Sequence, residues 1–205
     1  MLHRPCFVVH FVRTLIGDRI YIVKKKSTTY AFIDASNIIY GTQNEGWKVD
    51  FKKLYKYLTE RYKCSKIYYF AGLENKNTKQ QKFYKLLSKI GYDLILKKVK
   101  IYIQPDGTKV RKANCDVDLT FYAMKDIDRF NRVLFLSGDG DFEILIRHFL
   151  FLKKGVFVLA NSKRTAREIK QLKNIQFNDL GVLKGTLELD QQKRRRLRTS
   201  PPHVL

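Results

Sequence analysis

The chain has 205 residues, 44% of them apolar and 29% charged, which suits one domain with its own core and excludes a disordered chain. Its 41 Lys and Arg against 19 Asp and Glu give a net charge of +22. That sign points to polyanions such as nucleic acid or anionic lipid, and the lack of any run of 18 apolar residues excludes a membrane-spanning helix.

Residues 1–29 hold six basic residues and one acidic. They carry two β-branched runs, 7–12 and 20–23, before Lys24-Lys25-Lys26. The runs can pair as a hairpin or stay untethered, and the segment is read as an N-terminal basic extension. Residues 7–12 have the look of a signal core, but Arg13, Asp18 and Arg19 follow with no small-residue cleavage site, so secretion is not expected.

From Tyr30 the pattern is regular. Residues 30–33 read as a buried strand ending at Asp34, followed by a loop over 41–48 that holds Trp47. Phe51, Leu54, Tyr55, Leu58 and Tyr62 have helical spacing, with Asp50 as cap. Residues 67–71 form a strand, 83–90 a helix closed by Gly91, and 94–103 a strand that turns at Pro105-Asp106-Gly107. A helix over 116–127 and a compact strand over 133–136 come next, then Ser137-Gly138-Asp139-Gly140-Asp141. A helix from Phe142, a strand over 156–159, a helix over 165–172 and an edge strand over 175–177 complete the series. Strands alternating with helices give an α/β domain over 30–183, a parallel sheet with helices on both faces.

That body carries 29 of the basic residues against 16 acidic, so the charge surplus is not confined to a tail. Residues 184–205, with Lys193-Arg194-Arg195-Arg196, read as a basic disordered tail. Cys6, Cys64 and Cys115 are odd in number and far apart, which argues against a disulfide framework, a disulfide-linked partner and a zinc site. A cytoplasmic location is expected.

The few carboxylates are placed where chemistry is expected. Asp34 follows the first strand of the body, Asp139 and Asp141 follow the strand over 133–136, and Asp116 opens a helix. In an open α/β sheet ligands bind outside the carboxyl ends of the strands, so these groups are expected to converge. Any one alone reads as a cap or turn residue. Four together would repel unless a cation holds them, and oxygen-only ligands suit Mg²⁺ or Mn²⁺.

Three segments carry a family resemblance: Phe32-Ile33-Asp34-Ala35-Ser36-Asn37, Lys112-Ala113-Asn114-Cys115-Asp116-Val117-Asp118-Leu119 and Ser137-Gly138-Asp139-Gly140-Asp141-Phe142. They resemble the signature segments of NYN domains, PIN-like nucleases, and most closely the LabA-like subgroup. The resemblance implies a Rossmann-like (PIN-like) sheet and an acidic pocket that binds Mg²⁺ or Mn²⁺ and cleaves RNA. Asp34 and Asp139 would then be metal ligands, Asp116 and Asp141 would complete the catalytic pocket, and Asn37 would orient a ligand or the substrate. One position departs from the family: Tyr122 stands where members often carry a further acidic residue.

Substrate contacts are sought among the cations and aromatics near this edge. Lys112 reads as a group facing transition-state charge or as a solvated loop lysine. Ser137 reads as a ligand contact or a strand cap. Lys52 and Lys53 read as phosphate contacts or a solvated helix face. Trp47 reads as a stacking platform for an unpaired base or as a packing residue. The expected function is a metal-dependent ribonuclease acting on single-stranded or loop RNA, with a catalytically degenerate RNA-binding module as the alternative. Asp116-Val117-Asp118-Leu119-Thr120 also matches the nucleophile motif of haloacid-dehalogenase phosphatases. No hydrophobic strand directly precedes it, and too few residues separate it from Asp139 for that fold.

Overall fold

The computed structural model describes residues 11–16, 19–24, 27–74 and 77–190. The N-terminal segment forms an antiparallel pair, β1 (Phe11–Ile16) and β2 (Arg19–Lys24), in a sheet of its own. Its first ten residues, which include the start of the run at 7–12, lie outside the described residues.

The body follows as β3 (Thr29–Asp34), α1 (Ala35–Gln43), α2 (Phe51–Arg61), β4 (Cys64–Leu73), α3 (Thr78–Ile90) and β5 (Asp93–Lys98). Next come β6 (Lys100–Ile103), β7 (Lys109–Lys112), α4 (Asp116–Lys125), β8 (Arg132–Leu136) and α5 (Glu143–Phe151). The chain then runs through β9 (Gly155–Ala160), α6 (Arg167–Lys170), β10 (Ile175–Asp179) and α7 (Lys184–Leu187). Six strands form one parallel sheet in the order β10-β9-β8-β3-β4-β5. The order reverses beside β3: β4 and β5 build outward on one side, β8 to β10 on the other. The gap beyond the ends of β3 and β8 is therefore the switch point.

Side chains alternate across each strand, so the sheet buries both faces. Ala31, Ile33, Tyr69, Leu134 and Leu136 pack with Ile38, Leu54, Leu58 and Leu87 of α1, α2 and α3. Phe32, Phe70, Val133, Phe135 and Val158 pack with Leu119, Ala123, Ile146 and Phe149 of α4 and α5. The α/β expectation holds, with two differences of element. A helix, α1, follows Asp34 directly. The strand expected over 94–103 is two strands: β5 joins the parallel sheet, and β6 leaves it to pair with β7 as a separate hairpin.

The body also extends past residue 183. Leu187 is fully buried, its carbonyl accepts from Asp50 N at 2.8 Å, and Leu189 N donates to Lys48 O at 2.8 Å. Residues 184–190, expected as the start of the tail, thus belong to the folded body, and 191–205 lie outside the described residues.

Candidate metal centre

The site is assembled at the switch point by three backbone events. β3 ends at Asp34, whose side chain caps α1 by accepting from Asn37 N at 3.2 Å. β8 ends at Leu136, and the next three residues turn sharply across that cap. Gly138 N donates to Asn37 Oδ1 at 3.1 Å, Ser137 Oγ donates to Asp34 Oδ2 at 3.2 Å, and Asp139 N donates back to Ser137 Oγ at 3.2 Å. Asp139 then caps a 3-10 turn by accepting from Asp141 N at 3.1 Å, which holds both carboxylates on one short arc. The third arm is the start of α4, where Asn114 Oδ1 accepts from Asp116 N at 2.8 Å.

Gly138 lies against the loop after β9. A Cβ there would stand 2.7 Å from Thr165 Oγ1 and 2.9 Å from Thr165 Cα, and Ala166 N donates to Gly138 O at 2.9 Å. Only glycine allows this approach, and it presses the β9 loop against the acidic arc.

Asp116, Asp139 and Asp141 each place a carboxylate oxygen within 4.8 Å of the others, two of them half-buried and Asp141 exposed. Burial raises the Asp116 carboxyl above its ordinary value, and the charges of Asp139 and Asp141 add to the rise. Asp34 stands behind the trio. Its carboxyl is raised chiefly by burial and further by the charge of Asp116, against the lowering effect of its hydrogen bond from Asn37. An all-oxygen donor set whose members repel one another fits a hard divalent cation such as Mg²⁺ or Mn²⁺, which needs no dedicated cage and keeps several waters.

The expected residues divide clearly. Asp116, Asp139 and Asp141 come together, while Asp34 is not one of the clustered three. Asn37 and Ser137 are turned inward: Asn37 accepts from Gly138, and Ser137 is 1% exposed and bonded to Asp34. The Ser137 hydroxyl is thus engaged by Asp34 and Asp139, in keeping with the strand-cap reading.

Of the two readings of Trp47, packing holds and stacking falls. It is 1% exposed within the core of the α1–α2 face, so its ring offers no surface to a base. Lys53 is likewise engaged, since its Nζ donates to Glu188 O and Asp190 Oδ1, both at 2.9 Å. Lys52 is exposed in the first turn of α2. Lys112 closes β7, four residues before Asp116, and its side chain lies outside the described residues.

Tyr122 faces the core beneath α4, with its ring 5.3 Å from that of Tyr68 and 6.0 Å from that of Phe70. Asp118 does not replace the missing carboxylate, because its Oδ2 is 2.6 Å from Lys97 Nζ. Two contributors escaped the sequence reading. Asn114 carries a local signal, as an Asx residue two before the helix start. Lys97, whose charge lowers the Asp116 carboxyl, has none. A depression of about 670 Å³ lies at the β9–β10 end of the same edge and not at the trio; Lys163, Arg164, Lys184, Glu45 and Asp179 line it.

Comparison with known proteins agrees with this architecture. The NYN domain family model matches residues 28–181. The low amplitude and bright protein LabA of Synechococcus elongatus is 26% identical over 161 residues, covering 77% of this chain and 86% of LabA. The crystal structure of VPA0982, a Vibrio parahaemolyticus protein of unknown function, superposes with a TM-score of 0.64 at 24% identity, covering 85% of this chain and all of that one. That likeness concerns the fold. The PIN-like parallel sheet, the match over most of the chain and the acidic trio at its switch point lead to one assignment: this chain belongs to the NYN domain family.

Proposed function

We propose that this protein is a divalent-cation-dependent ribonuclease that hydrolyses phosphodiester bonds in single-stranded or loop RNA. The observation that carries the reading is the convergence of Asp116, Asp139 and Asp141 within 4.8 Å in a chain whose net charge is +22. So strong a positive charge draws in polyanions, and the acidic trio is the exception within it. Asp116, Asp139 and Asp141 would hold Mg²⁺ or Mn²⁺, which when bound supplies Lewis acidity toward phosphate and activates a water for in-line attack. Asp34, Asn37 and Ser137 fix the arc on which Asp139 and Asp141 sit. The basic body supplies phosphate contacts, whose strength falls as salt rises. Nuclease chemistry is also the general expectation for NYN domains.

The second reading, an RNA-binding module with a degenerate pocket, draws on Tyr122. That ring packs on Tyr68 and Phe70 and contributes nothing to the acidic cluster. A single assay separates the two. Protein freed of metal by chelation is incubated with labelled single-stranded RNA, before and after Mg²⁺ or Mn²⁺ is restored. Cleavage products that appear only after restoration are expected. RNA that is bound but stays intact on single-stranded and structured substrates would overturn the nuclease reading in favour of the binding module.

A further inference from the structure

The β6–β7 hairpin stands apart from the parallel sheet and leads directly into the acidic site. It has an unusual surface for an isolated ribbon. Tyr102 is 51% exposed, and Val110, its partner across the ribbon, is 37% exposed. Lys100 lies two residues before Tyr102 and so on the same face of β6. A depression of about 180 Å³ lies there, lined by Lys97, Lys98, Lys100, Tyr102, Ala113 and Asn114.

Both ends of this depression have a stated role. At one end Lys97 is tied to Asp118 in the first turn of α4, with 2.6 Å between Nζ and Oδ2. At the other, Asn114 accepts from Asp116 N at 2.8 Å, and Asp116 belongs to the trio. Two residues of chain span at most about 7 Å. Asn114, on the rim of the depression, therefore lies within about 7 Å of Asp116 of the acidic trio. A stacked strand advances about 3.4 Å per nucleotide.

We propose that this depression is a subsite for an unpaired nucleotide of RNA next to the phosphate being cleaved, with Tyr102 stacking on the base and Lys98 and Lys100 contacting the backbone. The proposal rests on the ribonuclease reading for the direction of the strand. An exposed ring beside lysines is the pairing that single-strand binders use: stacking accepts any base, and cations follow the phosphates. It also supplies, on the α4 side of the site, the aromatic platform that buried Trp47 cannot provide.

The test uses the full chain in chelator, where binding is separated from cleavage. Affinity for a fluorescent oligouridine is measured by anisotropy for the wild type, Tyr102→Phe, Tyr102→Ala and Lys100→Ala. The same oligonucleotide is then used with each nucleotide in turn made abasic. Tyr102→Ala is expected to weaken binding about 5- to 150-fold, the range for loss of one stacked base, and Tyr102→Phe to bind like the wild type. At one abasic position the Ala and wild-type proteins are expected to bind alike. Lys100→Ala should lower the slope of log affinity against log salt by about one. Equal affinity of the wild type and Tyr102→Ala, or an Ala defect that persists at every abasic position, would overturn the subsite. Far-ultraviolet circular dichroism checks the Ala variant's fold, and a Tyr102→Phe defect as large as that of Ala would also count against stacking. Tight binding with the expected Tyr102 effect but no metal-dependent cleavage would instead overturn the nuclease reading and leave the subsite standing.

Discussion

Ser137 Oγ donates to Asp34 Oδ2 at 3.2 Å, joining the last residue of β3 to the first residue beyond β8 across the switch point of the sheet. The same oxygen accepts from Asp139 N at 3.2 Å, so one buried hydroxyl sets the spacing between the first and third signature segments. Ser137→Ala leaves the Asp139 N–H without this acceptor and removes a donor from Asp34. A loss of roughly 1–3 kcal/mol in stability is expected. Mn²⁺ affinity should fall about 10- to 100-fold, the usual cost of losing a partner that orients a ligand. Calorimetric titration with Mn²⁺ checks this, and unchanged affinity would mean that the arc holds its shape without Ser137.

The raised Asp116 carboxyl makes a prediction with a definite sign. Its native pKa lies above the unfolded value of 3.8, through burial first and then the charges of Asp139 and Asp141. The native state therefore holds the proton more tightly. The associated stability is fully present below the unfolded pKa and is lost as pH rises through the native one. In chelator at pH 7, Asp116→Asn is expected to melt above the wild type, with the gap closing as pH falls toward 4. Adding Mn²⁺ should reverse the order, because a ligand that binds only the native wild type stabilises it by mass action. Melting of the variant below the wild type in chelator at pH 7 would contradict the repulsion described.

The C-terminal boundary can be tested by truncation. A chain ending at Asp190 should melt like the full protein, since the contacts of α7 and Leu189 remain. Leu187→Ala should cost roughly 2–5 kcal/mol, as for other fully buried leucines. Truncation at 190 removes five basic residues and no acidic one, so RNA affinity should fall modestly and remain salt-dependent. Complete loss of RNA binding in that truncation would make the tail, and not the body, the RNA-binding element.

Much of this site was legible because strand ends can be read from short apolar runs. Residues 30–33 and 133–136 mark two strands, and the carboxylates after them fall at the switch point once the strand order is known. Asp116 was harder, because its approach depends on a hairpin that periodicity reads as one strand over 94–103. Val99, between β5 and β6, carries no Gly or Pro to mark the break; its N–H donates to Leu73 O at 3.1 Å, a contact made only in three dimensions. Trp47 was left open between stacking and packing for a similar reason. It follows Gly46, whose φ of +77° turns the chain, and Trp47 N donates to Thr42 O at 3.1 Å, swinging the ring into the core. A lone aromatic among polar residues gives no periodic signal of this. Leu187 hid in the same way, one of two leucines among polar residues in 184–190, a segment whose backbone bonds make it part of the body. Asp126 is 1% exposed and accepts from Tyr68 OH at 2.5 Å, which makes it a structural acid, whereas Asp128 is exposed and suits a control.

The most direct measurement compares cleavage and binding in Asp139→Asn. The substitution keeps size and shape but removes the charge with which Asp139 would hold a cation. Single-turnover cleavage of labelled single-stranded RNA in Mn²⁺ is expected to fall by more than about 100-fold, beyond the roughly 10- to 100-fold that loss of an outer partner costs. RNA affinity in chelator should stay equal to that of the wild type or rise, because a repulsive carboxylate is gone while the basic surface is intact. Asp128→Asn should cleave like the wild type. An Asp139→Asn protein that cleaves at the wild-type rate would contradict the assignment of Asp116, Asp139 and Asp141 as the metal centre.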